Sequence, residues 1–171
     1  MIYKTYKATI YYHIGDKETL YTRVLHEHFA SAGDRFDQIL QQAESPEEKL
    51  SLYIQHIAQV MDQNPHKAVM MLREIAGGGE NFPDIVAQDL AEIVNKLADI
   101  LAEGEKKGRF IHVNPISVHF LVIGALIFYK VGTPIRERFT QISESLRSMN
   151  TNETGKFVDE IEHLVLRSLR Q

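Results

Sequence analysis

Apolar residues recur along this chain at helical spacing almost everywhere, and no stretch alternates apolar with polar residues long enough to predict a sheet. The pattern predicts an all-α protein. From Asp16, a good helix N-cap, Leu20, Val24, His28, Ala32, Phe36 and Leu40 follow at four-residue steps, with Tyr21, Leu25 and Phe29 on the adjoining row. One long helix ending near Gln42 is predicted. Ser45-Pro46-Glu47-Glu48 then supplies a cap, a proline at the first helical position and a capping-box glutamate, followed by the stripe Leu50, Tyr53, Ile57 and Val60. Asn64-Pro65 repeats the device for a shorter helix through Ile75, which Gly77-Gly78-Gly79 stops.

Pro83 opens a further helix, with Val86, Leu90, Ile93, Leu97 and Ile100 in period until Gly104 or Gly108. Asn114-Pro115 caps the run Ile116 to Val131, which is interrupted by Ser117 and His119 and too short for a membrane span, so it reads as a buried helix. Thr133-Pro134 restarts the chain, and Ile135, Phe139, Ile142, Leu146 and Met149 predict one more helix. Met149 to Gly155 is polar and reads as a loop; Phe157, Ile161, Leu164, Val165 and Leu169 make a last helix. These C-terminal helices carry more apolar surface than one chain of this size covers. Pairing with a second copy through residues 114–149 and 157–169, as a homodimer, is the natural outlet.

Composition narrows the class. A chain of 171 residues suits one domain, or a large domain with a fragment of a second, and 44% hydrophobic with 25% charged residues is the ordinary folded balance. Absence of cysteine excludes disulfides and thiolate metal sites. Met1 to Thr9 has tyrosines and lysines where a signal peptide would be apolar, which predicts a cytoplasmic protein, with no membrane partner. A net charge of −4 argues against a nucleic-acid-coating protein, so any DNA contact is local; Lys4 and Lys7, with no acidic residue before Gly15, place the positive bias at the N-terminal end.

Several chemistries can be set aside. No histidine pair among the eight has the spacing of a helical two-His site backed by carboxylates, and His26 and His28 point to different helix faces, so neither metal nor cofactor is expected. Gly77-Gly78-Gly79 has no strand before it and no Lys-Ser or Lys-Thr after it, unlike a phosphate loop. No serine sits in a nucleophile-elbow context and the carboxylates fall mainly on polar helix faces, so no enzyme is expected.

The run Lys7-Ala8-Thr9-Ile10-Tyr11-Tyr12-His13-Ile14-Gly15-Asp16-Lys17-Glu18-Thr19-Leu20 resembles the most recognisable stretch of TetR-family transcriptional repressors. There a short recognition helix reading Thr, an aliphatic, Tyr, an aromatic and His runs into a turn and then a Lys-Glu pair opening a long helix. Gly108-Arg109-Phe110 ahead of Asn114-Pro115, with the apolar helix after it, is similar to that family's effector-binding and dimerisation domain. The resemblance implies a remnant of a helix-turn-helix DNA-binding domain at residues 1–16, its recognition helix at about 7–14, and a helical ligand-binding and dimerisation domain at 17–171. It implies a ligand-responsive repressor that, when complete, binds operator DNA as a dimer and is released by a small, largely apolar effector.

By the same resemblance Lys7, Thr9, Tyr11, Tyr12, His13 and Lys17 face the operator. A lysine beside free N–H groups at a helix N-terminus attracts a phosphate, and tyrosine and threonine hydroxyls can position on one. The residues leave open whether Tyr11 reaches a phosphate or packs with Ile10 and Ile14 against its own domain. In the family roughly 40 residues precede the recognition helix, whereas Met1 to Tyr6 do so here. Tyr3-Lys4-Thr5-Tyr6 stands where the family has a small residue, glycine, an aliphatic and serine. The expectation is that this chain binds operator weakly or not at all; the alternative function is a ligand-binding and dimerisation module without DNA binding.

If the architecture is that of the family, helices from Asp16 to Val131 enclose a mostly apolar cavity. Phe29, Tyr53, His56, Met70, Met71, Arg73, His119, Phe128 and Tyr129 are its candidate lining, mixing bulky apolar groups with polar tips. Each is also what an ordinary core contains. His56, Arg73 and His119 stand out because a polar group facing a core needs a partner, although Arg73 beside Glu74 also reads as an interhelix ion pair.

Overall fold

The computed structural model describes residues 16–149 and 153–171. Among them are eight helices: α1 Lys17–Leu40, α2 Pro46–Gln63, α3 Pro65–Ala76, α4 Asp84–Lys106, α5 Pro115–Val131, α6 Thr133–Ile142, α7 Glu144–Met149 and α8 Thr154–Leu169. The fold is all-α, and the only extended pairing among the described residues is an isolated bridge between Phe110 and Arg170.

The helix starts follow local chemistry. The Asp16 carboxylate accepts from the Thr19 N–H at 2.8 Å and Ser45 Oγ from the Glu48 N–H at 3.2 Å. Each cap satisfies one of the donors that a helix N-terminus leaves over. Glu48 reaches back to the N–H of Glu44 rather than to that of Ser45, a capping box shifted by one residue. Asn114 Oδ1 accepts from the Ile116 N–H, whereas Asn64 makes no cap bond and proline alone sets the start of α3. At the end of α3 the N–H of Gly79 returns to the carbonyl of Glu74, with Gly78 at φ 82° and Gly79 at φ 74°, a left-handed stop that favours glycine.

In the centre of the bundle, α2 packs against α1, α3, α4, α5 and α8, and α4 packs against α1, α2 and α5. The core they share includes Phe36, Leu50, Tyr53, Ile54, Leu97, Phe110 and Val122, all essentially inaccessible to solvent. Gly104 closes one end: a Cβ there would overlap the ring of Phe110, so the absence of a side chain lets that ring seat against α4. The chain then leaves along α8, with the Ile111 N–H donating to the Leu169 carbonyl at 2.8 Å.

Two expectations are corrected. The single helix predicted from Thr133 to Met149 is broken at Ser143, whose backbone is extended (φ −116°, ψ 116°) and whose hydroxyl accepts from the Leu146 N–H to start α7. The apolar spacing continues across that break because α6 and α7 pack on each other. The run Ile116–Val131 is buried on one face only. Val118, His119, Val122, Leu126 and Ile127 face the core, while Ile116, Phe120, Leu121 and Phe128 are exposed, because the chain lays helices against one side of α5 alone. Among the described residues no single helix is long and apolar enough to cross a membrane; α5 and α6 reach that length only together and bend by 68° between them.

Candidate functional site

Two adjoining chambers lie where α3 and α5 meet the core. The inner one, of about 60 Å³, is enclosed by all five of the helices α1 to α5, which contribute Phe29 and Ala32, His56 and Met61, Ala68, Leu90, and His119 and Ile123 in turn. The outer one, of about 520 Å³, runs between Leu72 and Ile75 of α3, Gly79 and Phe82 of the turn after it, and Phe120, Gly124 and Phe128 of α5. Met71, Leu90, His119, Ile123 and Ile127 belong to both and form the wall between them. Small side chains at Ala32 and Ala68 leave the inner space, and the glycine turn after α3 leaves the outer one. The combined space is of the size that takes a small molecule, and its lining is predominantly apolar.

A few polar groups interrupt that lining. Tyr53, fully buried behind His119, lies with its hydroxyl 2.5 Å from His119 Nδ1. Burial pushes the Tyr53 phenol up, so its proton stays on and is donated to Nδ1. His56 stacks on Phe36, ring centroids 5.1 Å apart, and its Nε2–H donates to the Ala32 carbonyl at 2.9 Å. His56 Nδ1 is buried with no hydrogen-bond partner among the described residues. Burial pushes both imidazoles below their ordinary value, and for His56 the nearby Arg35 and Lys96 add to it, so both rings are neutral at physiological pH.

A pH dependence follows. In the unfolded chain these rings titrate near 6.5 and in the native state only at lower pH. Below about 6.5 the unfolded state therefore holds more protons, and the stability contributed by the neutral rings is lost as pH falls toward the native values. Thermal melts followed by circular dichroism should show a lower midpoint at pH 5 than at pH 7.5, with a shallower fall in a His56→Asn variant.

The sequence-predicted ligand residues divide by position. Phe29, His56 and His119 line the inner chamber, and Phe128 the outer. Tyr53 lines neither and acts through His119. Met71 borders both chambers whereas Met70, one helical step away, borders neither. Arg73 is exposed, and the neighbouring Glu74 accepts instead from the Tyr21 hydroxyl at 2.9 Å; burial, and after it this bond to the carboxylate, pushes the Tyr21 phenol up to about 12. Tyr129 stacks face to face on Phe157 at 3.8 Å, with the Arg136 guanidinium 3.9 Å over its ring; this joins α5, α6 and α8 and lies outside both chambers. The chambers also take in His28, Asn64, Leu72, Phe82 and Ile123, which were not singled out from the sequence. His28 carried a signal, a polar residue on an apolar row; the aliphatic ones look like any core residue.

Of the sequence-predicted DNA-facing residues, Lys7, Thr9, Tyr11, Tyr12 and His13 lie outside the described residues. Lys17 is exposed in the first turn of α1. It shares that turn with Glu18 and with the Asp16 cap, so an incoming phosphate would meet two carboxylates beside the lysine.

A family model described as "Tetracyclin repressor-like, C-terminal domain" matches residues 43–129, just over half of the chain. The chain belongs to the TetR family. The match takes in α2 to α4 and most of α5, hence most of the walls of both chambers. Two solved structures share the fold of this TetR-family regulator. One, titled as a transcriptional regulator of the TetR/AcrR family from Thermobifida fusca YX-ER1, is 19% identical with a TM-score of 0.63, over 96% of this chain and 81% of that one. The other, a HlyIIR mutant protein with a segment replaced by a linker, is 20% identical with a TM-score of 0.61, over 96% of this chain and 77% of that one. At such identities the likeness is one of fold. No curated protein matches the chain significantly.

Proposed function

We propose that the protein is a ligand-responsive transcriptional repressor of the TetR type, binding operator DNA as a homodimer and releasing it when a small, largely apolar effector occupies the two chambers. The observation that carries this reading is the position of α1. Phe29 and Ala32 of that helix wall the inner chamber, and its first residue, Lys17, ends the Lys7–Lys17 run that resembles a recognition helix. At 1.5 Å per residue about 18 Å of helix separates Lys17 from Phe29. A tilt forced on α1 at the chamber is thus delivered to the DNA-facing segment.

Contacts across α1 are suited to transmit such a tilt. His26 pairs with Asp89 at 2.8 Å, Lys96 of α4 pairs with Asp37 at 2.6 Å and donates to the Gly33 carbonyl, and Tyr21 holds Glu74 of α3. In a dimer joined through the exposed apolar faces of α5 to α8, tilting both copies of α1 changes the distance between two recognition segments, which must match grooves about 34 Å apart. A coupling of about 1–3 kcal/mol suffices. Residues 17–171 are in this reading the effector and dimerisation domain.

A second reading rests on Tyr3-Lys4-Thr5-Tyr6, which does not reproduce the family's turn before the recognition helix. In it the chain binds effector and dimerises without binding DNA. Selection from a random duplex pool at low salt separates the two. Enrichment of palindromes with half-sites one helical turn apart supports the repressor; a dimer that enriches nothing supports the module and overturns DNA binding by this chain.

A further inference from the structure

The polar groups of the inner chamber form a complementary set that selects the chemistry of its occupant. His56 spends its N–H on the Ala32 carbonyl, so its buried Nδ1 is a lone pair with nothing to accept from among the described residues. His119 has the opposite tautomer. Its Nδ1 receives the Tyr53 proton, so its hydrogen is on Nε2, and the ring borders both chambers. The two buried histidines of the chamber, each 6% exposed, therefore supply one acceptor and one donor, while the half-buried His28 and Asn64 stand on its wall beside them. No lysine, arginine, aspartate or glutamate lines it, and Asn64, which also borders it, is neutral.

We propose that the effector is a neutral, mainly apolar molecule carrying a hydroxyl group, which donates to His56 Nδ1 and accepts from His119 Nε2–H while its apolar body extends into the outer chamber. This rests on the effector-binding reading above and adds the class of ligand. A hydroxyl is the smallest group that donates and accepts at once, and a buried acceptor without a partner costs free energy that such a ligand recovers. A carboxylate brings only acceptors, leaves His56 unsatisfied and finds no cation. An ammonium brings only donors and faces the His119 N–H. A ketone satisfies His119 alone. The inner chamber, at about 60 Å³, has room for roughly four to six water-sized groups. That takes a hydroxyl end and a few carbons; the bulk of the ligand lies between Leu72, Phe82 and Phe128.

The test is calorimetric titration of the intact protein at pH 7.5 with three probes of one chain length: 1-octanol, octanoate and octylamine. The expected result is that 1-octanol binds roughly tenfold or more tightly than either ion, and that His56→Leu removes this advantage. In parallel, protein labelled with ¹⁵N-histidine should show the unprotonated Nδ1 resonance of His56 moving upfield as 1-octanol is added, a readout that needs no variant. Equal binding of all three probes, with no movement of that resonance, overturns the hydroxyl assignment and leaves an effector chamber of purely apolar selectivity. Tighter octanoate or octylamine overturns it in favour of an ionic anchor, Glu74 being the one for the amine. Failure of all three to bind overturns both this assignment and the effector chamber itself.

Discussion

A protein carrying Leu121→Asp together with Phe128→Asp is expected to sediment as a monomer at micromolar concentrations where the parent chain is expected to be a dimer. Leu121 is 60% and Phe128 69% exposed in the single chain, on the face of α5 that also presents Ile116 and Phe120. Gly124 lies within this face, and a Cβ there would meet nothing, so another backbone can approach closely. The stripe continues onto α6 and α7 through Ile135, Phe139, Ile142 and Leu146, of which Ile142 is 85% exposed. Under the proposed dimer, this run of exposed apolar residues is the surface expected to form the interface.

A twofold contact is self-complementary, so two substitutions place four carboxylates in it. Each uncompensated buried charge costs several kcal/mol, against about 8 kcal/mol for an association with a micromolar dissociation constant. Both sites are exposed in the monomer, so helical content should stay unchanged by circular dichroism. Leu121→Asp alone is the control that spares the chambers, since Leu121 lines neither. A parent that is monomeric at every concentration in equilibrium sedimentation, or a double variant that remains dimeric, would remove the dimer from the proposed function.

Phe110→Ala should lower unfolding stability by about 3–5 kcal/mol in denaturant titration, the usual cost of removing a buried phenylalanine. Phe110 is fully buried, seated on Gly104 of α4, and its chain neighbour Ile111 is tied to the end of α8. Gly104→Ala should cost about 1–3 kcal/mol by pushing that ring outward, despite the better helix propensity of alanine. The two effects are not independent. In the double variant the new methyl occupies space the ring has left, so the combined loss should be smaller than the sum. Strict additivity would mean that the ring does not rest on Gly104.

Much of the architecture was legible in the chain. Ser45-Pro46, Asn64-Pro65, Asn114-Pro115 and the glycine triplet marked helix ends to within a residue or two, because capping and backbone stops are local chemistry. The break at Ser143 was not legible: the apolar spacing runs through it, and only the packing of α6 on α7 decides that the helix turns there. For the site, His56 and His119 could be picked out as polar residues on apolar faces. Met70 and Met71 could not be told apart, since one helical step of rotation decides which borders a cavity. Arg73 and Tyr129 had suitable chemistry and the wrong direction.

What the sequence determined by itself is the all-α class, the order of helices, the excess of apolar surface at the C-terminal end and the resemblance of residues 7–20 to a repressor's recognition segment. These depend on periodicity, caps and residue identity, which are properties of neighbours along the chain. The tertiary structure decided which stripe of α5 is covered and which is left exposed, and that His119 takes its proton arrangement from a tyrosine 66 residues earlier. It also decided that five helices leave an apolar space walled in part by His56, whose buried Nδ1 has no hydrogen-bond partner among the described residues. Cavities and tautomers arise from groups distant in sequence meeting at fixed distances, and no local pattern encodes where packing stops short of filling space.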